Sequence, residues 1–236
     1  MPKAMSGLEE TLGYRFRNGK LLETALTHSS YSNELRAKRC HIPCNERLEF
    51  LGDSVLSIIV SEYLFLEQED LPEGELTKMR AELVCGRSLS AFAKKIGLGD
   101  YMFLGNGEEK NGGRTNDKIL ENAFEALLAA IYLDSGNDKK TVADFLMPLV
   151  KEALNALVRA GHGKDYKTAL QQFVQQTEGD FLEYAVVGES GPDHMKIFQV
   201  EARLNSNVIG RGEGRSKREA EQAAAKQAML LFGEMQ

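Results

Sequence analysis

The chain has 236 residues, 42% of them hydrophobic and 27% charged, with 29 Lys and Arg against 35 Asp and Glu for a net charge of −6. This length suits one large domain or two small ones, and the acidic balance excludes a generally basic nucleic-acid coat while leaving room for a local basic patch. No apolar run approaches the roughly 20 residues of a membrane span, residues 1–7 lack the apolar stretch of a signal peptide, and the 3 cysteines make no disulfide framework. A reducing, cytoplasmic setting without membrane contact is expected.

In chain order, the pattern predicts helices first. Residues 20–27 form a short amphipathic helix and residues 45–66 a long one, stopped before Pro72. Residues 75–85 and 87–96 make a pair separated by Gly86 and ended by Gly97. A Gly-, Asn- and Lys-rich loop covers 104–116, with Lys110 and Arg114 as candidate phosphate contacts. Residues 117–134 are apolar on most sides, which predicts a buried central helix. Residues 138–159 close this all-α region of 1–160, with Pro148 a candidate kink. Two glycines around His162, followed by Lys164 and Asp165, read as a linker over 161–165.

Beyond the linker, residues 166–177 read as a helix, and 181–188, 196–205 and 208–212 as strands; Leu182, Tyr184 and Val186 alternate as one face of a strand. Residues 216–232 make an Ala-rich helix with Ser216 as N-cap. The order α-β-β-β-α over 166–236 predicts a small α+β domain, its antiparallel sheet carrying both helices on one face. Neither region is basic overall: the basic residues divide 20 and 9, the acidic ones 24 and 11.

Chemistry concentrates in Asn45-Glu46-Arg47-Leu48-Glu49-Phe50-Leu51-Gly52-Asp53-Ser54. On a helix, Glu46, Glu49 and Asp53 share a face, and carboxylates so close repel unless a cation or proton intervenes. A second acidic element is Glu121-Asn122-Ala123-Phe124-Glu125-Ala126-Leu127-Leu128, where Glu125 lies among apolar neighbours that penalise an isolated charge. A divalent metal shared by Glu125, Glu49 and Asp53 resolves both problems, and an all-oxygen set suits Mg²⁺. The plain alternative is a solvated acidic face with Glu125 paired to a Lys or Arg. No Ser-His-Asp or Cys-His set is apparent. Cys40, His41 and Cys44 offer three zinc ligands, short of a closed tetrahedral set, and read as a loop. His28 reads as a hydrogen-bonded structural histidine and Cys85 as buried packing.

Asn45 to Ser54 resembles the signature motif of the ribonuclease III family. The resemblance continues through Ala25-Leu26-Thr27-His28-Ser29-Ser30-Tyr31, Gly74-Glu75-Leu76-Thr77-Lys78-Met79-Arg80-Ala81 and Ile119-Leu120-Glu121-Asn122-Ala123-Phe124-Glu125-Ala126-Leu127. The second region resembles the double-stranded-RNA-binding domain of bacterial members. The resemblance implies a homodimeric endonuclease that cuts double-stranded RNA with Mg²⁺ (Mn²⁺ as a substitute), in the processing of ribosomal and messenger RNA. The expected products carry 5′-phosphate and 3′-hydroxyl ends with short 3′ overhangs. It implies Asp53 and Glu125 as catalytic, and Glu49, Asp53, Asn122 and Glu125 as metal ligands. Asn122 departs from the carboxylate that many members carry there; its amide oxygen can still ligate but brings no charge. Glu46, Phe50 and Glu73 match positions at the substrate cleft and dimer interface. Thr168, Gln171, Gln172, His194, Arg215, Lys217 and Arg218 match RNA-contact regions, whereas Glu221 stands where many such domains have a Lys. The alternative is a non-catalytic double-stranded-RNA-binding protein on the nuclease scaffold, favoured by Asn122 alone.

Overall fold

The computed structural model describes residues 2–69, 71–159, 166–177, 179–192 and 196–233. The linker expected over 161–165 and the candidate contact His194 lie outside the described residues. The chain forms two compact units, Met1–Gly163 and Lys164–Gln236.

The first unit is helical: α1 (Met5–Leu12), α2 (Gly19–Leu26), α3 (Ser29–Ala37), α4 (Glu46–Glu67), α5 (Glu73–Leu83), α6 (Gly86–Lys95), α7 (Asn106–Lys110), α8 (Asp117–Asp134) and α9 (Lys139–Arg159). Local chemistry sets several starts. The Asn18 side chain accepts from Lys20 N at 3.2 Å to open α2, and Asn116 Oδ1 accepts from Lys118 N at 2.9 Å and Ile119 N at 3.3 Å to open α8. His28 opens α3, with Nδ1 accepting from Ser30 N at 3.3 Å. Pro72, extended at φ −67° and ψ 156°, precedes α5. Pro148 lies inside α9, which runs on through it.

The sequence pattern misses α1 and α3. α3 buries none of its residues, so it carries no apolar stripe to read. The expected loop 104–116 contains α7 and a 3₁₀ turn, Gly113–Thr115. Arg114 is committed there: its Nε and Nη2 each donate to the Glu109 carboxylate at 2.7 Å and its Nη1 to Gly99 O at 2.7 Å. Its guanidinium therefore staples the loop. Cys85 is half-buried, not core, and heads α6, with Sγ donating to Glu82 O at 3.2 Å.

α8 is the central helix, as its sequence predicts: Ala123, Phe124 and Ala126 to Ile131 are all buried. A fully buried side chain of the Leu or Phe class contributes about 1.5–3 kcal/mol, and Leu120, Phe124, Leu127 and Leu128 all sit in the main core. At the C-terminal end of α8, Asp134 accepts from Tyr14 Oη at 2.8 Å, Arg17 N at 2.9 Å and Asn18 N at 2.8 Å. Burial pushes its carboxyl up, but these donors outweigh it and hold the group below its ordinary value.

The second unit runs α10 (Tyr166–Val174), β1 (Leu182–Ser190), β2 (Ile197–Leu204), β3 (Asn207–Gly214) and α11 (Lys217–Leu231). The sheet is antiparallel in the order β1-β2-β3. Asn205 and Ser206 both have positive φ, 49° and 69°, as a two-residue turn between β2 and β3 requires. Leu170 and Val174 of α10 share one core with Val200 and Ala202 of β2 and Ala220, Ala224, Ala225, Ala228 and Met229 of α11. The period-2 glycines Gly210, Gly212 and Gly214 let the alanine face of α11 lie on β3. A Cβ at Gly212 would stand 2.2 Å from Ala224 N, and one at Gly210 2.2 Å from Ala224 O.

Candidate active site and nucleic-acid interface

The acidic centre is built by one close helix crossing. A Cβ on Gly52 of α4 would fall 1.9 Å from the carbonyl oxygen of Glu125 on α8, so only glycine admits this approach. Buried Ala126, Ala129 and Ala130 of α8 line the same contact with Leu48 and Ala25. The crossing sets Glu49 and Asp53 of α4 beside the α8 stripe Lys118, Glu121, Asn122 and Glu125, whose spacing places all four on one helix face.

Electrostatics shows which groups sense one another. Glu125 is only 8% exposed. Burial, and then the charges of Asp53, Glu121 and Glu49, push its carboxyl from 4.5 up to about 7, against a smaller opposing pull from Lys118. Glu49, half-buried, is also pushed up, first by burial and then by Glu46 and Glu121, while Lys118 and the Asn122 amide oppose the rise. Asp53 and Glu46 are exposed. Asn122 Oδ1 is buried and has no hydrogen-bond partner among the described residues. A carbonyl oxygen beside mutually repelling carboxylates is a donor set made only of oxygens, which fits a hard ion such as Mg²⁺.

Among the described residues, no group of three or more His, Cys, Asp or Glu stands close enough to hold a metal ion alone. The four expected ligands converge in charge without forming a closed cage. Mg²⁺ commonly takes one or two protein carboxylates and completes its shell with water and phosphate. Glu121 and Lys118 belong to this centre and were not singled out from sequence; their i+4 and i+7 spacings to Glu125 carried the signal. Lys118 Nζ pairs with Glu121 at 3.1 Å. Glu73 opens α5, exposed, and accepts from Thr77 Oγ1 at 2.9 Å. Phe50 is 79% exposed and packs in no core of its own unit.

In the second unit, Thr168, Gln171 and Gln172 are all exposed on one face of α10. Arg215, Lys217 and Arg218 are exposed at the start of α11. That start is capped on both sides: Ser216 Oγ accepts from Glu219 N at 3.2 Å, and Glu219 Oε2 accepts from Arg215 N, just before the cap, at 2.7 Å. Helix start and basic side chains together suit phosphate oxygens. Glu221 is neutralised by Lys167 Nζ at 2.6 Å.

A family model described as Ribonuclease-III-like matches residues 18–150, and one for the double-stranded RNA binding motif matches residues 166–231. The chain is 46% identical over 228 residues to the Ribonuclease 3 of Caldanaerobacter subterraneus, covering 96% of this chain and 97% of that one. It is 48% identical over 222 residues to the Ribonuclease 3 of Oceanobacillus iheyensis, covering 94% and 95%. Among solved structures, the nuclease domain of ribonuclease III from Campylobacter jejuni superposes with a TM-score of 0.57 at 37% identity, covering 64% of this chain and 98% of that one.

Proposed function

Since the chain belongs to the ribonuclease III family, we propose that it is an endoribonuclease that hydrolyses phosphodiester bonds of double-stranded RNA at the acidic centre between α4 and α8. The observation that carries this reading is the Gly52 crossing, which sets buried Glu125 and the orphaned Asn122 oxygen beside Glu49 and Asp53, in a chain that also has a double-stranded-RNA-binding unit. The non-catalytic alternative finds no support, because Glu49, Asp53 and Glu125 are all present and the relatives are ribonucleases.

Glu49, Asp53, Asn122 and Glu125 would hold Mg²⁺, with Mn²⁺ able to take the same oxygen donors. Held there, the ion would supply Lewis-acid chemistry, activating a water and offsetting negative charge at the phosphate. Asp53 and Glu125 line the reacting position. The Glu125 carboxyl, pushed up to about 7, exchanges a proton near neutral pH unless a cation claims it. Glu46 and Glu73 stand at the cleft as further acidic side chains. Thr168, Gln171 and Gln172 offer hydrogen bonds to 2′-hydroxyls across the minor groove, and Arg215, Lys217 and Arg218 meet phosphates.

The working form is a homodimer. Phe50, Ile58 and Phe65 of α4 are 79%, 54% and 70% exposed, and Phe65 and Leu66 line a cavity of about 300 Å³ with Leu71 and Leu76. Such apolar exposure marks an interface, and a two-fold dimer gives each strand of a symmetric duplex its own centre. Membership of the family implies products with 5′-phosphate and 3′-hydroxyl ends and short 3′ overhangs. A role in ribosomal and messenger RNA processing follows from the family reading, and a cytoplasmic setting is in keeping with three free cysteines; among the described residues no helix is long and apolar enough to cross a membrane.

The decisive experiment incubates the purified chain with a long RNA duplex in Mg²⁺ and in EDTA. Cleavage in Mg²⁺ alone is expected; duplex retarded but uncut in both overturns the reading.

A further inference from the structure

Asn122 brings an oxygen to the acidic centre but no charge. Its neighbour Glu121 brings a charge. Glu121 lies on the same face of α8 as Glu125, one turn earlier, with its side chain 20% exposed. Its carboxylate occupies a space kept open by another glycine: a Cβ on Gly86, the first residue of α6, would stand 2.6 Å from Glu121 Oε2. The only cation paired with it among the described residues is Lys118, 3.1 Å away on a stem that is 70% exposed. Water screens the lysine half of this pair, so a divalent ion can displace it.

We propose that Glu121 is a working member of the acidic centre. It lends a carboxylate charge to divalent-cation binding beside neutral Asn122, and Lys118 is the tethered counter-charge that the cation displaces. The inference rests on the reading of the centre as a Mg²⁺ site. Gly86 is then part of the site's architecture, because any side chain there crowds the carboxylate. Glu121 acts on the ion's affinity and position, leaving the reacting position to Asp53 and Glu125.

The test titrates Mg²⁺ into the full chain without RNA, by calorimetry, and measures melting in EDTA to verify folding. Glu121→Gln should weaken Mg²⁺ binding about tenfold, the low end of what supporting groups at metal sites supply. Lys118→Met should tighten binding. Removing Glu121 also frees Lys118 to approach Glu49 and Glu125, so the pair of variants decides the cause: Glu121→Gln should still weaken binding in the Lys118→Met background. Adding Asn122→Asp to Glu121→Gln should restore it. Unchanged affinity in Glu121→Gln, or a loss that vanishes once Lys118 is gone, overturns the inference while the Mg²⁺ site stands. Wild type that binds no Mg²⁺ removes both this inference and the reading beneath it.

Discussion

Two glutamates, Glu125 in the helical unit and Glu201 in the second unit, are each 8% exposed, yet the fold treats them oppositely. Glu201 is surrounded by donors: Arg203 Nη2 at 2.8 Å and Arg211 Nε at 3.0 Å. The Arg203 hydrogen bond, helped by Arg211, outweighs desolvation and holds its carboxyl below the ordinary value. Glu125 receives burial and the charges of three other carboxylates, and rises to about 7. A sheet residue whose role is structural has its charge matched within the chain. Glu125 is left without a matching charge, which on the proposed reading a bound cation would supply.

The comparison breaks most sharply at Glu125. Glu125→Gln should abolish duplex cleavage while the metal-free chain melts at a higher temperature in EDTA at pH 8, because a buried repulsion is gone. Cleavage at the wild-type rate removes Glu125 from catalysis. Gly52→Ala should follow closely: a methyl group 1.9 Å from a backbone oxygen forces α4 and α8 apart. Overpacking of this kind costs about 1–3 kcal/mol, read by urea denaturation, and cleavage should fall with the loss of the crossing.

The pH dependence separates the two glutamates by sign. Between about 4.5 and about 7, folded Glu125 binds more protons than the unfolded chain, so the metal-free protein loses stability as pH rises through this window. Glu125→Gln should flatten that slope, and Mg²⁺, by holding the carboxylate ionised in the folded chain, should cancel it within the same window. Glu201 has the opposite linkage: its contribution is present above its unfolded value and is lost as pH falls through the lowered one. Glu201→Gln should therefore remove an acid-side loss, followed by melting of the chain across pH 2 to 5. The smallest effect is at the RNA surface. Lys217→Ala should weaken binding to any duplex sequence and reduce the salt slope by roughly one counterion; an unchanged slope excludes Lys217 from phosphate contact.

Much of this was legible along the chain. The limits of α8, the Ser216 cap and the three strands follow from periodicity and turn chemistry, because those are local rules that neighbouring residues satisfy among themselves. The carboxylate spacing on α4 and the buried setting of Glu125 were equally plain, since a helix fixes which side chains share a face. The short α1 and α3 were not, lacking a broad apolar stripe. Which helix meets which, and at what distance, belongs to tertiary structure alone. Gly52 and Gly86 look like ordinary glycines until another helix lies against them. Lys118 and Glu121 look like an ordinary surface pair until Glu49 arrives from α4. Charge interactions depend on through-space distance and on shared exclusion of water, and neither is encoded by separation along the sequence.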